Sequence, residues 1–320
     1  MNFTKHLAAV ESALSTYSIP TAVPSLTDPI FYLLGIGGKR IRPVLTLMSH
    51  ELFGGQAENV LSQALAIEVF HNFTLMHDDI MDVAPLRRGQ ATVHEKWDTN
   101  VAILSGDGMM IQSYELLAKN QEAKFLPLFR TFNKTAWEVC EGQAMDMQFE
   151  KRLDVTTEEY LEMIRLKTAV LLGCALELGA IAANASSEDC EHIRLFGEHV
   201  GLSFQLRDDY LDAFGDPEKF GKQVGGDILS DKKTFLYLHA TKNALEADKQ
   251  LLQALHGQTS AEKVEQVKGI FQRCGADQLI LEQSEAYYNS ALEHLESLHT
   301  DEQHKAPLKE LAMWLLERQS

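Results

Sequence analysis

Positive charge is scarce in this sequence: 29 Lys and Arg stand against 46 Asp and Glu, leaving a formal net charge of −17. That balance disfavours broad contact with a nucleic-acid backbone or an anionic membrane surface. Cysteine is sparse as well. The four thiols, at positions 140, 174, 190 and 274, have no metal-type spacing, and a 320-residue chain with a real core has little need of a disulfide framework. A reducing cytoplasm is the compartment this suggests. Only 8 prolines and 20 glycines are present, with no polar linker, low-complexity tract or tandem repeat. Disorder is therefore not expected, and residues 1–320 read as one domain. Long apolar runs are missing too. The opening MNFTKHLAAVESAL has no continuous apolar segment, and the run from Ala169 to Ala185 is interrupted by Glu177, so neither export nor a membrane span is expected.

No stretch alternates cleanly as a strand. Apolar residues instead recur at steps of three and four, as in Val60, Leu61, Leu65, Ile67, Val69, Phe70, Phe73 and Leu75, which predicts a long, mostly buried helix over 59–83. Similar patterns cover 94–118, 124–150, 157–183, 188–214, 234–255, 260–273, 276–298 and 303–319. Asp28-Pro29 reads as an N-cap followed by proline in the first turn, and Gly35, Gly37 and Gly38 interrupt the chain before a helix carrying Pro43. The expected fold is all-α, a single-domain bundle of about ten to thirteen helices.

Two short segments carry the chemistry. LMHDDIMDVAPLRRGQ, residues 75–90, holds Asp78, Asp79 and Asp82 followed by Arg87 and Arg88. On a helix Asp78 and Asp82 share a face, while Asp79 lies about 100° around. Three carboxylates in one turn repel one another, and in an apolar helix they are costly unless a cation is bound. A solvated helix end is the plainer account of this cluster taken alone. FQLRDDYLD, residues 204–212, repeats it with Asp208, Asp209 and Asp212 on a second apolar helix. Facing each other, the two clusters would form an all-oxygen cage suited to Mg2+ and a phosphate-bearing substrate, with no place for zinc.

Against the acidic background, GGKRIRP supplies Lys39, Arg40 and Arg42, RLKTAV supplies Lys167, FGKQVGGD supplies Lys222, and SDKKTF supplies Lys232 and Lys233. Solubility explains any one of these. Lys39, Arg42 and Arg88 together suggest a metal-free anion pocket, since arginine offers a bidentate fork to phosphate and lysine a mobile point charge.

The set of motifs resembles the trans-type isoprenyl (polyprenyl) diphosphate synthases. The resemblance runs in order through GGKRIRP, HDDIMDVAPLRRG, EGQAMDM, KTA, FQLRDDYLD and GKQVGGDILSDKKT, about residues 35–235. It implies an isoprenoid synthase fold around a deep central cavity and a short-chain product. Both aspartate motifs would bind about three Mg2+, with Mn2+ a possible substitute, on an allylic diphosphate. Arg87, Lys167, Lys222 and Lys232 would assist there, and Lys39, Arg42, His71 and Arg88 would hold isopentenyl diphosphate, with Arg40 structural or peripheral. Lys167, Thr168 and Gln205 would stabilise the allylic cation, and released pyrophosphate would take the proton. Asp227 would contact metal-bound water. Gln143 and Asp146 match a supporting pair or satisfied core polar groups, Asp107 reads as structural, and Arg207 points away from the second motif or pairs with it. A homodimer is implied.

Chain length would be set on the helix leading into Asp78. By resemblance the floor falls at Thr74 and Phe73, with Phe70 roughly 12 Å of helix rise below Asp78. An aromatic at the fifth position before the motif suggests a C20 product, geranylgeranyl diphosphate, with the C15 farnesyl product as the alternative. A terpene cyclase or a non-catalytic subunit of a heteromeric synthase are the competing readings. Lys39, Arg42 and the second aspartate motif argue against the cyclase, and the complete set of aspartates argues against the subunit.

Overall fold

The computed structural model describes residues 2–119, 121–216 and 224–317. It is helical almost throughout, as expected, and comprises two compact units. The first is formed by residues 1–133, 174–191 and 299–307, the second by 134–173, 192–298 and 308–320.

In the first unit the helices are α1 (Asn2–Thr16), α2 (Pro24–Gly35), α3 (Ile41–Leu52), α4 (Leu61–Met81), α5 (Val93–Lys96) and α6 (Thr99–Ala118). The central one is α4, packed by α1, α2, α3 and α6. Its apolar residues cover the full circumference, so Ala64, Ile67, Val69, Phe70 and Met76 are all buried. α2 begins earlier than the Asp28-Pro29 pair suggests. Pro24 occupies the first turn, where a missing N–H costs nothing, and Pro29 sits inside the helix, where its lost bond falls near the exposed N-terminal end. A small hairpin, β1 (Leu86–Arg87) with β2 (Gln90–Ala91), departs from the expected absence of strands. Its two turn residues, Arg88 at φ 52° and Gly89 at φ 76°, have the left-handed backbone of a type I′ turn.

The second unit contains α8 (Thr157–Ile164), a five-residue π turn (Arg165–Ala169), α11 (Gly226–Leu229), α12 (Phe235–Asn243), α13 (Glu246–Leu255), α14 (Ala261–Arg273) and α15 (Ala276–Glu296). α8 starts in a capping box in which Thr156 and Glu159 satisfy each other's backbone N–H groups. The core here gathers Phe149, Tyr160, Leu206, Phe235, Phe271 and Ile280. Four further helices, α7 (Phe125–Lys151), α9 (Val170–Ala182), α10 (Ser187–Phe214) and α16 (Glu302–Glu317), have residues in both units. Among the described residues no helix is long and apolar enough to cross a membrane.

Candidate active site

The first aspartate cluster lies at the C-terminal end of α4, where the Asp82 N–H caps the Asp78 carbonyl at 2.8 Å. Its members differ in environment. Asp79 is 2 % exposed and is gripped by Arg87, whose Nε donates to both carboxylate oxygens at 2.9 and 2.8 Å. Asp78 and Asp82, four residues apart, stay on the more open face. The hairpin is what delivers Arg87: the Tyr32 hydroxyl donates to the Ala91 carbonyl and the Thr92 hydroxyl to the Ala84 carbonyl, both at 2.8 Å. Arg87, expected on a substrate diphosphate, serves here first as the brace of Asp79.

Arg42, His71 and Arg88 form a basic cluster in the same unit. Arg42 Nη1 lies 3.3 Å from His71 Nε2. Arg88 reaches across to donate to the Gly37 carbonyl, and a Cβ on Gly38 would come within 2.9 Å of that guanidinium. Burial, with the positive charge of Arg88 adding to it, pulls Arg42 down to about 10. Burial followed by Arg42 and Arg88 holds His71 well below its ordinary value, and burial followed by Arg87 lowers Arg88. Cations that depress one another gain from a bound anion, and arginine is suited to phosphate. Lys39 is exposed on the loop before α3. Arg40 turns inward instead. It is 4 % exposed and bonds Glu11 at 2.9 Å, Glu68 at 2.6 Å and the Leu34 carbonyl at 2.6 Å, so its role is structural.

The residues expected to limit product length belong to an aromatic row. Phe73, 9 % exposed, has its ring 5.5 Å from Phe70 and 4.8 Å from His77, and Phe70 lies 5.2 Å from Phe132. Thr74 donates its hydroxyl to the His71 carbonyl at 2.8 Å.

The second unit repeats the asymmetry of the first. Asp208, Asp209 and Asp212 lie near the end of α10, and the middle member is again the buried one, at 5 % exposure. The Tyr160 hydroxyl and Gln205 Nε2, the latter at 3.0 Å, donate to Asp209. Burial, with the charge of Asp227 next in size, pushes that carboxyl up to about 8. Gln205 also accepts from the Thr168 hydroxyl at 3.5 Å. Asp212 Oδ2 accepts the Asp227 N–H at 3.0 Å, so Asp227 contributes its backbone there, while its carboxylate lies 3.5 Å from Lys232. Lys167 Nζ bonds Asp146 at 2.6 Å. The Arg207 guanidinium lies 5.7 Å over the ring of Tyr210, a residue within the motif itself, and its Nε is unpaired. Lys222 lies outside the described residues.

Lys167 and Thr168 sit in the π turn, a widened turn that re-aims side chains. Gly142 makes room for it: a Cβ there would run into the Lys167 backbone nitrogen. Gly142→Ala is expected to destabilise the fold by about 1–3 kcal/mol through overpacking. Displacing Lys167 should also lower kcat by about tenfold or more. Urea unfolding and steady-state kinetics check the two effects, and an unchanged kcat would contradict the role given to this contact.

Among the described residues no three His, Cys, Asp or Glu side chains gather into a protein-only metal site. The donor chemistry nevertheless fits Mg2+. Each motif offers an i, i+4 pair of hard carboxylate oxygens, and Mg2+ ordinarily keeps waters and substrate phosphates as its other ligands. Tyr160, which secures Asp209, was missed from sequence. The only available signal was its position seven residues before Lys167, in line on a helix face.

A family model described as Polyprenyl synthetase matches residues 23–274. A short chain isoprenyl diphosphate synthase of Methanothermobacter thermautotrophicus is 38 % identical over 289 residues, covering 90 % of this chain and 89 % of the relative. A geranylgeranyl diphosphate synthase of Saccharolobus solfataricus is 38 % identical over 303 residues, covering 92 % and 90 %. Among solved structures, a geranylgeranyl pyrophosphate synthetase from Pyrococcus horikoshii Ot3 superposes with a TM-score of 0.93 at 33 % identity, covering 99 % of this chain and 97 % of that one.

Proposed function

The chain belongs to the polyprenyl synthetase family and is a prenyltransferase, and from that premise we propose that it condenses isopentenyl diphosphate head to tail with an allylic diphosphate, ending at geranylgeranyl diphosphate. The observation that carries the reading is the Arg42, His71 and Arg88 cluster, basic side chains that contain no carboxylate and depress one another's protonation. A cyclase, with one diphosphate to bind, has no use for it. The geranylgeranyl diphosphate synthases among its relatives support the C20 product.

Arg42, His71 and Arg88, with Lys39 on the preceding loop, hold the diphosphate of isopentenyl diphosphate. Asp78 and Asp82 on α4, and Asp208 and Asp212 on α10, are the residues that would hold Mg2+ for the allylic diphosphate, with Asp79 and Asp209 braced behind them. When bound, the divalent ions neutralise the leaving diphosphate as Lewis acids. Lys167, Lys222, Lys232 and Arg87 add positive charge to the same leaving group. The allylic C–O bond breaks, the isopentenyl double bond attacks the allylic carbon, and the proton released from the product passes to pyrophosphate. Thr168 and Gln205 supply dipoles that stabilise the cation without trapping it, and apolar walls exclude water.

We treat residues 1–320 as one catalytic domain, because the family match takes in residues of both units. The four free thiols support a reducing cytoplasm. A homodimer is supported by the exposed stripe of α6, where Ile103, Leu104, Met110 and Ile111 line one face. Asp107, read from sequence as structural, is exposed within that stripe.

Chromatography after incubation with Mg2+, farnesyl diphosphate and labelled isopentenyl diphosphate tests the reading. A linear C20 diphosphate is expected; a cyclic hydrocarbon or no turnover contradicts it. Phe73→Ala should extend the product beyond C20, because it opens the first ring of the aromatic row. An unchanged product would remove Phe73 as the floor.

A further inference from the structure

Lys263, on α14, is a lysine that the mechanism does not use, yet it is only 2 % exposed. Lysine is almost never buried to that degree without a partner. Its ammonium donates to Asp231 Oδ1 at 2.7 Å, to the Gln258 carbonyl at 3.0 Å and to the Leu229 carbonyl at 3.5 Å. Two of those acceptors belong to the end of α11 and the turn after it, and α11 is the helix whose Asp227 N–H meets Asp212.

A helix of four residues cannot hold itself in place. α11 is secured at both ends by α14. At its start, Gly225 has a φ of 83°, and a Cβ there would lie 2.6 Å from Val264 Cγ1. At its end, Asp231 adopts the left-handed backbone at φ 54°, a strained choice for a residue other than glycine. Both of its carboxylate oxygens are used in keeping it there: Oδ1 accepts from Lys263, and Oδ2 accepts the Gly257 N–H at 2.8 Å. A small cavity lined by Asp227, Ile228, Tyr237, Leu255, Val267 and Lys263 lies against this helix, so apolar packing beneath it is incomplete and the polar tie carries more of the positioning. From the fixed end the connection runs back through α11, where the Leu229 N–H bonds the Gly225 carbonyl at 2.9 Å, to the Asp227 N–H on Asp212 Oδ2 at 3.0 Å.

We propose that Lys263 is a positioning residue for the second aspartate motif: by anchoring Asp231 and Leu229 it fixes α11, and α11 fixes the orientation of the Asp212 carboxylate. The inference rests on the reading of Asp212 as a metal ligand. Groups that orient a metal ligand from behind influence metal affinity without touching substrate.

The test uses the full chain carrying Lys263→Met or Asp231→Asn. Lys305→Met serves as a control, since Lys305 is another buried lysine, bonded to Glu302 at 2.9 Å in the first unit. Two quantities are measured: amide hydrogen exchange across 224–233, and Mn2+ binding in the presence of inorganic pyrophosphate, followed by electron paramagnetic resonance. Both test variants should exchange faster across that segment and bind Mn2+ about tenfold more weakly. The KM for isopentenyl diphosphate, held by the basic cluster of the first unit, should not move. Lys305→Met should lower the unfolding temperature and leave segment exchange and Mn2+ binding as in wild type. Unchanged exchange, or faster exchange with unchanged Mn2+ binding, overturns the inference alone. Wild-type protein that binds no Mn2+ with pyrophosphate overturns the functional reading and this inference with it. If Lys263→Met does not fold, Asp231→Asn, which keeps the lysine and the side-chain shape, decides by the same readings.

Discussion

Asp78→Ala and Asp208→Ala should each lower kcat by on the order of 10³-fold while leaving the unfolding temperature close to that of the parent. The two effects separate because these carboxylates are not the ones the fold depends on. In each motif the buried middle aspartate is secured by protein, Asp79 by Arg87 and Asp209 by Tyr160 and Gln205. Asp78 and Asp208 occupy the less buried position beside it. Asp79→Ala should behave differently. It leaves the Arg87 guanidinium without its main partner, so stability and the hairpin carrying Arg87 and Arg88 should suffer along with turnover. Circular dichroism melts and steady-state kinetics on the three variants distinguish the roles, and equal loss of stability in all three would contradict the division of labour.

Arg40→Met is expected to be the most destabilising single substitution in the first unit, at about 3–5 kcal/mol. Arg40 lies at φ 48° at the start of α3 and joins three elements, bonding Glu11 on α1, the Leu34 carbonyl on α2 and Glu68 on α4. Glu68 is itself buried, and its carboxylate also accepts from Asn72 at 3.0 Å. Removing the guanidinium strands that charge inside the unit, which costs far more than the net value of the ion pair. Replacing both partners, as Arg40→Met with Glu68→Met, should recover part of the loss, because no charge is then left buried. Chemical denaturation of the single and double variants reads this directly. A double variant less stable than Arg40→Met would show that the pair is worth more than its burial costs.

Much of this was legible from local spacing. The two DDxxD clusters, GGKRIRP and the helical periodicity around them need only positions along the chain, and they led to the all-α fold and to the family. What stayed hidden depends on partners distant in sequence. The helical wheel puts Asp79 about 100° from Asp78, but nothing local says that Arg87 will fold back onto it or that Tyr160, 49 residues before Asp209, will bond it. Arg40 reads from the sequence as structural or peripheral, and only its distant partners Glu11 and Glu68 show that it is a buried strut. Pro29 misled because proline reads as a helix start, whereas Pro24 already fills that position. The hairpin is too short to show as an alternating strand. Its one signal is the Arg88-Gly89 pair in a turn that requires positive φ at both residues. The π turn at Lys167 and the buried Lys263 were equally invisible, since each follows from how neighbouring helices pack.

The proposed condensation requires both aspartate motifs to serve one metal-assisted departure of diphosphate. The most direct measurement is condensation of labelled isopentenyl diphosphate with farnesyl diphosphate at saturating Mg2+ by the folded double variant Asp78→Ala/Asp208→Ala, beside wild type with and without a chelator. Wild type should form the C20 diphosphate only when the metal is present, and the double variant should form none. Condensation surviving in the double variant, or wild-type turnover indifferent to the chelator, would contradict it.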